Sequence, residues 1–275
     1  SAMTFGQNGG QSEIDGNTIS YLNKLGSANP IFKKMKIKKP SNSLILQTPI
    51  SLTDSLVLNK GVICSDSINY ITVNDNGIAI GGSDSSFING QIKKIGNEVF
   101  TFPIGDTSQY LRGYHPITMS APTATSDVFL AAYIPDSMPI GSLSLTGVDI
   151  NNFEYWEVKH PVGSSSVKFT VGFNSNATFI WKTNTLQLYT FDGTNLVNLG
   201  NDSSTLGIIG DTLSVGFGSS FANTSISISN TTNYRFGIGN QAGTNAITTT
   251  YRSLYFDKFL DGTSANSLGN QAKEN

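Results

Sequence analysis

The sequence predicts an all-β protein in which a short β-solenoid-like segment is followed by a β-sandwich. Ser, Thr and Asn make up 88 of the 275 residues and Gly adds 28, a mixture that favours strands and turns over helices. No run of 18 or more apolar residues occurs in the sequence, which argues against a membrane span. A hydrophobic content of 38%, with 16 Phe and 10 Tyr, is too high for a disordered chain.

We expect the chain to divide into five segments: an expression remnant over 1–3, a poorly ordered leader over 4–30, the solenoid-like segment over 31–98, the sandwich over 99–239, and a C-terminal strand with a polar tail over 240–275. The leader is assigned because it carries few side chains that could be buried. Ala246 to Tyr255 is the expected C-terminal strand.

The solenoid-like segment opens with a basic strand. Lys34, Lys36 and Lys38 alternate with apolar residues, which is typical of an amphipathic strand with a cationic outer face. One interpretation is a stripe that binds a polyanion, and the other is a solvated strand whose lysines protect a sheet edge. The second interpretation is favoured on general grounds.

A six-residue repeat follows and predicts the solenoid. Apolar residues recur in two registers, Leu44, Ile50, Leu56, Val62 and Ile68, and then Leu46, Leu52, Leu58, Cys64 and Tyr70. Residues two apart on a strand point to the same side, and the polar residues between them supply turns. A short strand and a corner every six residues indicates a β-solenoid with an apolar interior, although a meander of short antiparallel strands is an alternative.

The sandwich is predicted from short alternating strands separated by turn clusters. Phe129, Trp156, Phe169 and Leu188 lie at the expected core positions. The dipeptide Asp192-Gly193 is a hairpin signal, because these residues accept the positive φ values that a two-residue turn requires.

No pattern in the sequence indicates catalysis. His115 and His160 are the only histidines, and neither lies in a recognisable triad motif. Glu154 and Glu157 are an odd number of residues apart on a strand, so we expect them on opposite faces and not as a catalytic pair. The single cysteine, Cys64, is expected to behave as a small buried hydrophobe. The net charge of −2 argues against a nucleic-acid-binding surface.

Two sets of residues are candidates for ligand contacts. Asp66, Asp75 and Asp84 recur at nine-residue spacing in oxygen-rich turns, which makes calcium possible, although turn formation alone also explains them. Tyr110 and Tyr114 lie in the loop between the two predicted modules and are candidates for an exposed glycan contact. The alternative is that both tyrosines seal the seam between the modules.

The segment GGSDSSFINGQIKKIGNEVFTFPIGD, residues 81–106, together with the later EYWEV, resembles a recurrent module of large secreted and cell-surface proteins of Bacteroidetes. The resemblance implies a β-helix-like segment followed by an immunoglobulin-like β-sandwich, located outside the cell or on its surface. Gln91 departs from the pattern, where the family often has proline.

These observations predict a non-enzymatic structural or adhesive module of an exported surface protein, with a glycan or cell-surface polymer as the possible partner. The alternatives are a carbohydrate-binding accessory module of a polysaccharide-degrading enzyme and a solenoid-type polysaccharide lyase or hydrolase. The lyase is disfavoured because the repeat spans too few coils for a long substrate groove. Insertion into a membrane and binding of nucleic acid are not expected.

Overall fold

A computed structural model describes residues 11–24, 26–108, 113–141, 148–150, 153–172, 186–200, 226–227 and 233–241. The regular structure of these residues is all strand, as predicted. None of them belongs to a helix long and apolar enough to cross a membrane. The predicted remnant over 1–3 and the strand Ala246 to Tyr255 fall outside the described residues.

The first strands are β1 (Gln11–Asp15), β2 (Ser20–Leu22), β3 (Ile31–Lys38), β4 (Leu44–Leu46), β5 (Ile50–Lys60), β6 (Ile63–Cys64), β7 (Ile71–Val73), β8 (Ile78–Gly81), β9 (Ile88–Asn89), β10 (Gln91–Ile95), β11 (Phe100–Phe102) and β12 (Ile104–Asp106). They are followed by β13 (Gly113–Tyr114), β14 (Ile117–Met119), β15 (Val128–Ile134), β16 (Val148–Ile150), β17 (Tyr155–Val162), β18 (Ser166–Val167), β19 (Phe169–Val171), β20 (Leu186–Phe191), β21 (Leu196–Gly200), β22 (Ile226–Ser227) and β23 (Asn233–Gln241).

The N-terminal part is a β-solenoid of about four turns, which confirms the predicted architecture. One parallel sheet contains β1, β3, β5, β7, β8 and β10, and the facing sheet contains β2, β4, β6, β9 and β12. Neighbours in successive coils are 21 residues apart where Ile50 pairs with Ile71 and Ile71 pairs with Ile92. The interior is apolar because each coil contributes alternate side chains to stacked columns.

The six-residue repeat therefore spaces residues within one coil. It does not relate equivalent positions in successive coils, which are 21 residues apart. Leu44 lies on β4, whereas Ile50 and Leu56 share β5, so these residues do not form one column. The repeat also loses phase at the corner after β5, where Ile63 takes the buried position and Cys64 is half-buried. Ile68 is 72% exposed, so its predicted core position was wrong.

The predicted leader is also corrected, because β1 and β2 form the first coil of the solenoid. β1 pairs in parallel with β3, and β2 pairs in parallel with β4. Lys39 is fully buried, and its Nζ donates to the carbonyl oxygen of Thr18 at 2.7 Å and to Ser20 Oγ at 2.9 Å. Burial of Lys39 lowers the pKa of its ammonium group. Among the described residues, the solenoid therefore includes Gln11 onwards and not only residues from 31.

Both solenoid sheets change from parallel to antiparallel pairing at the same end. β10 pairs in parallel with β7 on one side and antiparallel with β15 on the other. In the facing sheet, β12 pairs in parallel with β9 and antiparallel with β13. The large sheet then continues through β17, β23, β20 and β21, so one sheet runs from the solenoid into the C-terminal part.

The C-terminal part packs two antiparallel sheets around an apolar core. The second sheet has the order β11-β14-β19, and Phe169 on β19 contacts Phe236 on β23 with ring centroids 4.9 Å apart. The predicted core residues Phe129, Trp156, Phe169 and Leu188 are all buried. One core cluster extends from Ile14 to Ile238, so the core continues across the predicted boundary between 98 and 99.

Candidate functional site

Tyr114 is buried, which contradicts the exposed position that a glycan platform requires. Only 6% of its surface is accessible. Its ring lies against Gly82, which has a φ of +105° and where a Cβ atom would fall 2.6 Å from the tyrosine hydroxyl. Burial raises the pKa of Tyr114 to about 12. The geometry favours the seam interpretation for Tyr114, and Tyr110 lies outside the described residues.

The three aspartates proposed for calcium occupy separate turns. Asp66 accepts the backbone N–H groups of Asn69 at 2.6 Å and Ile68 at 2.7 Å, and hydrogen bonds from Asn69 lower the pKa of its carboxyl group. Asp84 instead accepts a backbone N–H at 2.9 Å from the strand β13. Within the described part of the chain, no three His, Cys, Asp or Glu side chains are grouped closely enough to hold a metal ion. Asp66, Asp75 and Asp84 therefore do not converge.

A buried lysine organises the turn that contains Asp75. Lys94 is fully buried on an inward position of β10, and its Nζ lies 2.6 Å from Glu98 Oε2 and 2.9 Å from the carbonyl oxygen of Asn74. Glu98 also accepts the backbone N–H of Asn76 at 2.8 Å. The ammonium group is thus paired and hydrogen-bonded, which is the condition for burying a charge at tolerable cost.

This ion pair predicts a loss of stability in acid. Desolvation opposes ionisation of Glu98, but hydrogen bonds from Lys94 and from the Asn76 N–H outweigh it and lower the pKa of Glu98 below its ordinary 4.5. A lowered carboxyl pKa stabilises the fold above pH 4.5, and this stabilisation is lost as the pH falls through the folded-state value. We expect Glu98→Gln to lower the free energy of unfolding by about 2 kcal/mol at pH 7.

Urea unfolding of both proteins between pH 7 and pH 3 checks this expectation. The difference between wild type and E98Q should shrink towards acid, because protonated Glu98 and glutamine carry the same charge. A difference that stays constant over this range would assign the effect to packing and not to ionisation of Glu98.

A second buried polar cluster joins Asp127, His160 and Ser165. His160 Nε2 lies 3.2 Å from Asp127 Oδ1, and the hydroxyl of Ser165 donates to Asp127 Oδ2. Ser165 in turn accepts the backbone N–H of Thr123 at 2.9 Å. Gly163 has a φ of +102°, and a Cβ atom there would collide with the Asp127 carboxylate.

This cluster contains the residue types of a serine hydrolase in an unsuitable order. The carboxylate of Asp127 lies between the serine and the histidine, whereas a nucleophilic serine must donate to the base that activates it. All three side chains are also buried, at 5% exposure or less. The cluster joins the start of β15 to the end of β17.

A third buried cluster surrounds His115. The hydroxyl of Tyr133 donates to Glu154 Oε2 at 2.6 Å, and His115 Nδ1 lies 3.4 Å from the same oxygen. Burial, with the nearby Glu154 charge, raises the pKa of Tyr133. Glu157 lies 3.2 Å from Lys159 and is partly exposed, whereas Glu154 is buried, so the two carboxylates have different surroundings.

The lysines of β3 lie on the outer side of the solenoid, where Lys38 is exposed and Lys34 and Lys36 are half-buried. β3 lies between β1 and β5, so the interpretation that Lys34, Lys36 and Lys38 protect a sheet edge is wrong. Lys36 forms an ion pair with Glu13 at 2.9 Å, and Lys38 lies 3.8 Å from the same carboxylate. We call Lys34, Lys36 and Lys38, together with Lys60 on β5, the lysine face.

The comparisons with known proteins do not assign this chain to a family. No family model, curated protein or solved structure matches it. The resemblance to the Bacteroidetes module therefore stays a prediction.

Sequence reasoning missed the buried Lys94 pair and the Asp127 cluster, although both involve residues that alternate regularly along strands. Lys94 lies two residues after the buried Ile92, so its inward position was readable from the alternation. Its partner Glu98 and the pairing of Asp127 with Ser165 depend on how turns fold back, which has no signature in one sequence.

Proposed function

We propose that this chain is a non-enzymatic structural or adhesive module of an exported cell-surface protein, and that its C-terminal part is an immunoglobulin-like sandwich. The observation that supports this proposal best is the single sheet that continues from the parallel coils into the antiparallel part. A continuous sheet with a shared core gives neighbouring segments a fixed relative position, which suits a module that spaces or presents a surface.

The use of the titratable groups also supports a structural role. Lys94, Asp127, His160, His115 and Glu154 are each buried and engaged with other side chains or with backbone. A catalytic acid or base must instead reach a substrate atom in a cleft. These groups stabilise turns and strand ends, which is a structural role in the described part of the chain.

The exposed surface suits contact with a glycan. Charged residues make up 13% of the chain, and hydroxyl and amide side chains are abundant. A hydrogen bond from such a group to a sugar hydroxyl has about the same energy as one to water. Binding of a glycan therefore depends on many such contacts made together.

The test combines binding and turnover on one panel of surface polysaccharides. We expect retarded migration of the protein in gels that contain at least one polysaccharide, with no release of reducing ends on long incubation. Affinity electrophoresis and a reducing-sugar assay measure the two outcomes on the same preparation.

Ser165→Ala is the matched control for hidden catalysis, because it removes the hydroxyl beside the Asp127–His160 pair. Release of reducing ends by wild type that disappears in this variant would overturn the non-enzymatic assignment. If no polysaccharide retarded the protein, the proposed glycan contact would be contradicted. The proposed role as a structural spacer would not be.

A further inference from the structure

We infer that the lysine face binds an anionic polysaccharide, one that carries carboxylate or sulfate groups. This inference rests on the proposed function and specifies the class of glycan. It is carried by four lysines that the solenoid brings to the outer face of two neighbouring strands, β3 and β5.

The strand register, which is interrupted by a bulge between Ile37 and Lys38, brings the lysines to neighbouring positions of the sheet. Lys34, Lys36 and Lys38 follow one another at every second residue, so their side chains leave the same face of the sheet at intervals of about 6.6 Å. Lys38 pairs in register with Lys60 on the neighbouring strand, and neighbouring strands are about 4.8 Å apart. Two ammonium groups therefore extend side by side from adjacent strands.

The positive charge of this face is only partly compensated. β1 brings two carboxylates to this face: Glu13 lies 2.9 Å from Lys36 and 3.8 Å from Lys38, and the exposed Asp15 is in register with Lys38. Among the described residues, no carboxylate lies within ion-pair distance of Lys34 or Lys60. Like charges that are directly opposite each other on a sheet destabilise it, and a bound anion would relieve this repulsion between Lys38 and Lys60.

The interior position of β3 removes the ordinary explanation for its lysines. Lysine is common on edge strands, where it prevents unwanted pairing with other chains. β3 is paired on both sides, with β1 and with β5, so its lysines have no edge to protect.

The surroundings of the lysines favour a polysaccharide over a nucleic acid or an acidic protein. The register continues from Lys36 through Val57 to Ile80, and Ile78 and Ile80 are each 45% exposed. This arrangement presents cations beside an apolar strip on the outer face of a sheet, where the C–H face of a sugar ring can cover the strip while its anionic group reaches a lysine. The cations are lysines, which act as hydrated point charges and attract carboxylate or sulfate groups without requiring a fixed geometry.

The experiment compares pairs of polysaccharides that differ in charge. Polygalacturonate is paired with highly methyl-esterified pectin, and dextran sulfate is paired with neutral dextran. We expect wild type to bind the charged member of at least one pair, with affinity that falls as salt is raised. The double variant Lys34→Gln, Lys60→Gln should weaken this binding at least fivefold. The matched control, Lys24→Gln with Lys168→Gln at two exposed lysines outside the lysine face, should change it less than twofold.

Circular dichroism melting of both double variants establishes that they are folded. Equal affinity for charged and neutral members would overturn this inference and leave the proposed glycan contact standing. Absence of binding to every polysaccharide would overturn both. Binding to polyglutamate without binding to any charged polysaccharide would assign the face to an acidic protein and overturn the inference in that way.

Discussion

Replacing Leu56 with aspartate is expected to lower the free energy of unfolding by about 4 kcal/mol, because the substitution buries an unpaired charge. Leu56 is fully buried in the interior of the solenoid, where it lies between Met35 and Ala79 in neighbouring coils. Both in-register neighbours are apolar, so neither can pair with the new carboxylate. Chemical unfolding followed by circular dichroism measures the loss.

Ile68→Asp is the matched control, since Ile68 belongs to the same six-residue repeat but is 72% exposed. We expect this control to change stability by no more than about 0.5 kcal/mol, the usual range for surface substitutions. Equal losses in the two variants would contradict the assignment of Leu56 to the interior and of Ile68 to the surface.

Asp127→Ala is expected to cost about 3 kcal/mol, because it leaves buried polar groups without their acceptor. His160 and Ser165 both contact the Asp127 carboxylate, and all three side chains are buried. The cavity left by the carboxylate adds to the loss, since Gly163 packs directly against it. Urea unfolding at pH 7 measures this effect.

The control for this variant is Asp136→Ala. Asp136 is exposed, and its carboxylate accepts the N–H of Ser137 within its own turn. A small loss is expected there, at most about 1 kcal/mol. If Asp127→Ala were as mild as this control, the buried cluster would not stabilise the junction of β15 and β17.

Much of the fold was predictable because alternation along a strand is a local property. The burial of Leu44, Ile50 and Leu56 follows from the repeat, and a hairpin joins β20 and β21 where Asp192-Gly193 predicted one. Its loop has four residues, 192–195, and not the expected two, and of the pair only Gly193 has a positive φ. The six-residue repeat goes out of register with the buried positions at the corner before Ile63. A corner can contain one more or one fewer residue without any visible change in composition. One sequence does not reveal how many residues a corner consumes.

The first coil was missed for a related reason. Residues 11–22 have little apolar content, and they are ordered by partners that are distant in the sequence. Lys39, whose Nζ holds the turn between β1 and β2, has no feature in the sequence that distinguishes it from a surface lysine. The burial of Tyr114 was missed similarly, because its contact with Gly82 joins residues more than 30 positions apart, which alternation does not encode.

The reversal of strand direction at the end of the solenoid has a consequence for self-assembly. A parallel coil is a template on which an identical coil can be added, and repetition of that step would produce a fibre. Here the last strands, β10 and β12, are already paired with the antiparallel strands β15 and β13. The outer edges of β10 and β12 are therefore already paired within the chain, so a second molecule finds no free edge on these two strands on which to add a coil. The chain thus limits its own elongation by changing the direction of two strands.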